Sequence, residues 1–313
     1  MGQVLEVSMF TLLLAALPTR RIALAPGPEF ARMDGSDLDD LRQQIDGIDD
    51  TLHDLLMRRA ALVEQIGAAK PGGTLALRPG REARVLRRLL TRHSGRFPPA
   101  AMVRLWREIM GAFTFLQCPI RIAVCRPADQ PGYWDLARDH FGVQIPFTAH
   151  ETPIQVLAAV RAEPNVVGIV PGPAQDEPQP WWPFLMGGDP TTPKIVQKLP
   201  FVAMPNSRGR ELTAFVLARL EAEASGEDRA LIAVEAREEI SRSRLGAAIR
   251  KAGLPDATAL FDVEQAGTYW DLIEVPEFVG DADTRLRALE LALGIDGARV
   301  VALGSYAVPP LVR

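Results

Sequence analysis

Four polar side chains, Arg59, Lys70, Glu82 and Gln117, fall on stripes of residues that are otherwise apolar. Arg59 stands between Leu55 and Leu62. Lys70, eleven residues on, points the same way to within about 20° around a helix axis. Glu82 precedes Val85 and Leu86 by one turn, and Gln117 follows Trp106, Met110 and Phe113 at spacings of four, three and four. Charge on a buried seam is costly unless it is paired. One solution is internal, a salt bridge from Glu82 to an arginine or lysine; the other is a small anionic ligand. Nothing nearby suggests a nucleophile or a metal set. His53, His93, His140 and His150 are scattered, and Cys118 and Cys125 lack companions at metal spacing. The chemistry available is binding and hydrogen-bond donation, with no cofactor and no metal implied.

Three helices must position these groups. Leu38, Leu41, Ile45, Ile48, Leu52 and Leu55 recur at spacings of three and four, the stripe of a long amphipathic helix. Ser36 is its expected N-cap and Pro71-Gly-Gly73 its stop. Arg78-Pro-Gly-Arg-Glu82 opens a second helix with Val85, Leu86, Leu89 and Leu90 as its stripe. Phe97-Pro-Pro-Ala100 opens a third, with proline suited to a first turn and a stripe of Val103, Trp106, Ile109, Met110, Phe113 and Leu116.

A helix of that length cannot bury its seam alone, and a second copy is the simplest source of a partner helix. Arg42 and Arg59 lie about 25 Å apart along it, and Arg59 and Lys70 about 16 Å. One small ligand therefore cannot touch all three within a single helix. Two such helices packed antiparallel would bring Arg59 of one subunit near Arg42 and Lys70 of the other, giving composite sites with two-fold symmetry.

Leu38-Asp-Asp-Leu-Arg42-Gln-Gln-Ile-Asp-Gly-Ile-Asp49, Leu55-Leu-Met-Arg-Arg59, Ile66-Gly-Ala-Ala-Lys70 and Arg78-Pro-Gly-Arg81-Glu82 together resemble the all-helical chorismate mutase family. The resemblance implies a Claisen rearrangement of chorismate to prephenate by a homodimer. Arg42 and the partner subunit's Arg59 would bind the two carboxylates. Lys70 and Gln117 would donate to the ether oxygen, Glu82 would accept from the substrate hydroxyl, and Arg81 would shape the site. Such a reaction needs the substrate folded by its carboxylates and donors where charge develops on oxygen. It needs no proton transfer, so a flat pH profile around neutrality is implied. Two positions depart from the family pattern. Phe113 stands where a small residue is usual, and Arg78 where one branch is acidic.

After Cys118-Pro119 the periodicity changes. Ile120–Val124 and Val166–Val170 read as buried strands, and Tyr133–Phe141 and Ile154–Ala162 as helices, an α/β pattern. In chain order this resembles the first lobe of prephenate dehydratase, without its chemistry. Cys125-Arg-Pro-Ala-Asp-Gln-Pro131 replaces a Gly-rich segment, Pro171-Gly-Pro-Ala-Gln-Asp176 replaces Pro-Ile-Glu-Asn-Ser, and Leu199-Pro200-Phe201 stands where Thr-Arg-Phe is expected. Too few residues remain for a second lobe. Trp181-Trp182 lie in the loop replacing it, either capping the core or marking an interface. From Ala230 a βαββαβ order follows, and Val301-Ala-Leu-Gly-Ser-Tyr306 is similar to the end of ACT regulatory domains, although the effector motifs of that family are missing.

The expected organisation is multidomain. It comprises a leader or mis-assigned start over 1–33, an all-α three-helix mutase domain over 34–118, a truncated dehydratase-like α/β domain over 119–205, a helical linker over 206–229 and an α+β ACT-like domain over 230–313. Length and composition fit this: 313 residues, 47% hydrophobic and 24% charged. A net charge of -4 gives no general attraction to nucleic acid or an anionic membrane. Arg78, Arg81, Arg84, Arg87, Arg88 and Arg92 form a local basic run, read as a helix face that contributes to anion binding. The apolar stretch Met9–Pro18 is too short to span a bilayer, and it lacks the basic flank of a signal peptide. A start at Met33 and a cytoplasmic enzyme are expected. The alternatives are a bifunctional mutase–dehydratase and a pseudoenzyme that binds a ligand or regulates a partner.

Overall fold

A computed structural model describes residues 35–69, 75–175, 177, 179–202, 212–254 and 256–310. Lys70 and the 1–33 leader lie outside them. The chain divides into two compact units, the first ending at Met57 and the second beginning at Arg58.

Helix α1 spans Gly35–Ala68. In the first unit its apolar stripe is uncovered: Leu38, Leu41, Ile45, Ile48, Leu52 and Leu55 are each 43–59% exposed. In the second unit α2 (Pro79–Arg92) and α3 (Pro99–Gln117) follow, each begun by a proline in its first turn. Ala83, Leu86, Met102, Val103 and Met110 form a core with Phe201, Val202 and Ala307 from far along the chain.

Then come β1 (Arg121–Cys125), α4 (Gly132–Phe141), β2 (Phe147–His150), α5 (Pro153–Ala162), β3 (Val166–Pro171), a 3-10 turn at Trp182–Met186, β4 (Lys194–Leu199) and β5 (Ala214–Ala218). Next are β6 (Asp228–Ala236), α6 (Arg242–Lys251), β7 (Thr258–Gln265), β8 (Thr268–Val275), α7 (Thr284–Leu293) and β9 (Arg299–Ala307). The helical region is thus followed by a large mixed α/β assembly. The expected helical linker over 206–229 is not a helix where it is described: Ala214–Ala218 is a fully buried strand. A short apolar run suits a buried strand as well as a helix, and burial on both faces decides for the strand.

Among the described residues all nine strands belong to one sheet, in the order β2-β1-β3-β5-β4-β9-β6-β8-β7. Its first half is parallel at β2-β1-β3 and antiparallel through β5 and β4; its second half is antiparallel throughout. The halves meet where β4 and β9 run parallel, at Ile195 opposite Gly304. A Cβ on Gly304 would lie 2.1 Å from the Ile195 carbonyl oxygen, and its φ of +140° disfavours any other residue. The regions expected as separate α/β and ACT-like domains therefore share a continuous sheet. Trp181 and Trp182 are 0% exposed and pack in a core with Val156 and Leu217 from the first half and Leu231, Leu272 and Tyr306 from the second. Of their two expected roles, core filling is the one observed. Full burial of one large apolar side chain is worth roughly 1.5–3 kcal/mol.

Candidate active site

Within the second unit the ends of the three helices enclose a cavity of about 450 Å³, a volume suited to a small molecule. Four of the six expected site residues line it: Arg59 from α1, Arg81 and Glu82 from α2, and Gln117 from α3. Arg78 and Phe113 also line it, and Leu62, Val63, Ile66, Val85 and Met110 make its apolar walls.

The charges are arranged unevenly. Arg78 donates from Nε and Nη2 to the two Glu223 oxygens at 3.0 and 2.8 Å. Glu223 is also paired with Arg84 at 3.0 Å. Its hydrogen bond from Arg78 is the main cause that holds its carboxyl down at about 2. Glu82 accepts from Arg107 Nη1 at 2.8 Å, an ion pair with side-chain exposures of 13% and 4%. Burial pushes the Glu82 carboxyl up and Arg107 opposes that. Arg59 and Arg81 have no carboxylate partner among the described residues. Burial, and then the positive charge of Arg81, lower the Arg59 guanidinium from its ordinary value. Two unneutralised guanidinium groups thus face one cavity, an arrangement that calls for an anionic ligand.

Phe113 lies under one of them, with the Arg59 guanidinium 4.3 Å from its ring centroid. Gln117 donates from Nε2 to the Phe113 carbonyl at 3.2 Å. Its place in the last turn of α3 puts its amide at the cavity wall.

Arg59 lies in the cavity of its own chain, together with Arg81, Glu82 and Gln117, because α2 and α3 fold back beside the later part of α1. Arg42 lies in the first unit, exposed, with Nη1 2.8 Å from Asp39. The basic run of α2, moreover, mainly fastens that helix to the sheet region. Arg87 donates to the carbonyls of Ser225, Glu227 and Val308 at 3.1, 2.8 and 2.7 Å.

Arg107 was not singled out from sequence, although a signal existed. Val103, Arg107, Met110 and Thr114 are spaced by four, three and four, and all four are buried in α3.

The cavity thus brings guanidinium groups, an amide and a nearly buried carboxylate together on three helices. Residues 41–117 match the family described as chorismate mutase type II. The bifunctional chorismate mutase/prephenate dehydratase of Aquifex aeolicus is 32% identical over 144 residues, covering 43% of this chain and 38% of that protein. The protein of the same name from Neisseria gonorrhoeae is 37% identical over 86 residues, covering 28% of this chain and 24% of that one. The chain thus spans less than two fifths of the length of these relatives. Among solved structures, prephenate dehydratase from Streptococcus mutans covers 61% of this chain and 100% of its own at 14% identity and a TM-score of 0.39. That likeness is too low to bear on fold or function. No helix among the described residues is long and apolar enough to cross a membrane.

Proposed function

We propose that the chain is a cytoplasmic chorismate mutase that converts chorismate to prephenate as a homodimer. The observation that carries this reading is the pair of unneutralised guanidinium groups, Arg59 and Arg81, beside Gln117 and Glu82 in one cavity of the matched segment. Arg59 and the partner subunit's Arg42 hold the two carboxylates, and Arg81 adds to the positive field. Gln117, with Lys70 as the family resemblance implies, donates to the ether oxygen as negative charge grows there. Glu82 accepts from the ring hydroxyl. Holding the enolpyruvyl group over the ring supplies most of the effect, because the reaction is unimolecular and conformationally restricted. The uncovered stripe of α1 supports a second copy as its partner. The ACT-like half is read as scaffold or regulator.

A second reading, a bifunctional mutase–dehydratase, is favoured by the names of the relatives. Against it stand Leu199-Pro200-Phe201 in place of Thr-Arg-Phe and the single continuous sheet among the described residues. The mutase reading is tested by following chorismate loss with the purified chain and its Arg81→Ala variant. Turnover that falls at least ten-fold in the variant supports it, and absence of turnover in the wild type refutes it.

A further inference from the structure

Arg107 and Glu82 form a nearly dry ion pair at the cavity wall. Desolvation largely cancels the attraction within such pairs, so net stability does not account for it; fixed geometry is the alternative. The geometry originates in β4. Its register against β5 shifts between Ile195 and Gln197, a bulge that puts one extra residue into the strand. Ile195 packs in the core under α5, and Val196 in the core under α4. Strict alternation would return Gln197 to the α5 side. With the bulge, Gln197 follows Val196 onto the α4 side, 5% exposed, where His140 Nε2 donates to its Oε1 at 2.9 Å. The Gln197 side chain also acts on Glu82, lowering its carboxyl as Arg107 does. The Arg107 guanidinium lies 5.1 Å from the centroid of Phe201, two residues beyond β4. Burial and nearby Arg107 push the His140 imidazole well below its ordinary value.

We propose that Arg107 and Gln197 are positioning residues for Glu82, a brace through which the sheet region fixes the carboxylate at the wall of the mutase cavity. Arg107 from α3 occupies one oxygen of Glu82 and Gln197 from β4 flanks the group, which leaves acceptor capacity for a ligand hydroxyl. A carboxylate held from two directions cannot swing away when the site is empty. The sheet region is then part of the mutase, whatever else it binds. This inference rests on the reading of the cavity as a mutase site.

The test uses the full chain in a double-mutant cycle on chorismate turnover. Gln197→Leu lowers kcat/KM by about ten- to a hundred-fold, the loss expected from a slight misplacement of a binding group. Glu82→Gln lowers it further, and Gln197→Leu adds nothing in that background. Arg107→Lys retains more activity than Arg107→Met, because it keeps a cation beside the carboxylate. Should Gln197→Leu fold poorly, Gln197→Asn and the Arg107→Lys/Glu82→Gln cycle carry the same test. Wild-type kcat/KM in Gln197→Leu, or multiplicative losses in either double variant, overturn the brace while the mutase reading stands. A wild type without mutase turnover overturns both.

Discussion

The guanidinium of Arg59 lies 4.3 Å from the centre of the Phe113 ring, in a cavity where Arg81 repels it and no carboxylate of the described residues holds it. The ring is a platform that offers its negative face to a cation otherwise without support. A small residue at this position would leave room for ligand; the phenyl group gives orientation instead. Phe113→Leu keeps the bulk and removes the quadrupole, so about 0.5–2 kcal/mol of orientation is lost. We expect KM for chorismate to rise about two- to thirty-fold with kcat little changed, as measured by initial rates. An unchanged KM would mean that the stacking is incidental.

Arg59 and Arg42 belong to different units of the chain. In the proposed dimer each site takes Arg59 from one subunit and Arg42 from the other. Arg59→Ala and Arg42→Ala should each abolish turnover almost completely while the dimer still forms. Mixed and exchanged, the two inactive variants should recover about a quarter of wild-type activity, since half the dimers are mixed and each of those has one intact site. Failure to recover activity in verified mixed dimers would refute the shared site.

Stability should fall with rising pH where the chain buries unpaired carboxyls. Burial foremost, then Asp262 and Glu239, raises Asp271 to about 6; burial raises Glu177 to about 7. Both bind protons more tightly in the folded state, so the unfolded chain releases them first as pH rises. The penalty therefore grows from the unfolded carboxyl range up to about 6 for one and 7 for the other. Asp271→Asn should stabilise the protein near pH 8, by the order of 1–3 kcal/mol, and have little effect near pH 4. Denaturant melts at the two pH values measure this. The rearrangement itself uses no proton transfer, so kcat should stay flat around neutrality.

Gly111 marks how closely α3 is docked on α4: a Cβ there would lie 2.0 Å from the Phe141 carbonyl oxygen. Gly111→Ala should cost about 1–3 kcal/mol by overpacking, despite the better helix propensity of alanine. A variant that melts at or above the wild-type temperature would show that the two helices separate readily.

How much of this was legible in sequence depends on the range of the interaction. The α1 to α3 pattern follows from spacings of three and four, and the β6 to β9 strands from apolar runs between turn residues. β2 escaped notice because Phe147–His150 is a four-residue edge strand, half exposed. β4 and β5 escaped because short apolar runs do not reveal their partners, and the β4–β9 junction depends on one close approach at Gly304. In the site, Arg59, Glu82 and Gln117 stood out as polar residues on apolar stripes. Arg107 stood on such a stripe too, beside the more conspicuous Trp106. Gln197 gave no local signal, since its role arises from a bulge and from three elements distant in sequence.

The central claim is most directly tested by incubating the purified chain with chorismate and quantifying prephenate and phenylpyruvate over time. The account predicts that prephenate accumulates in step with chorismate loss, without phenylpyruvate beyond the spontaneous background, and that Arg59→Ala produces neither. Enzymatic formation of phenylpyruvate would contradict the monofunctional reading, and unchanged chorismate would contradict the mutase itself.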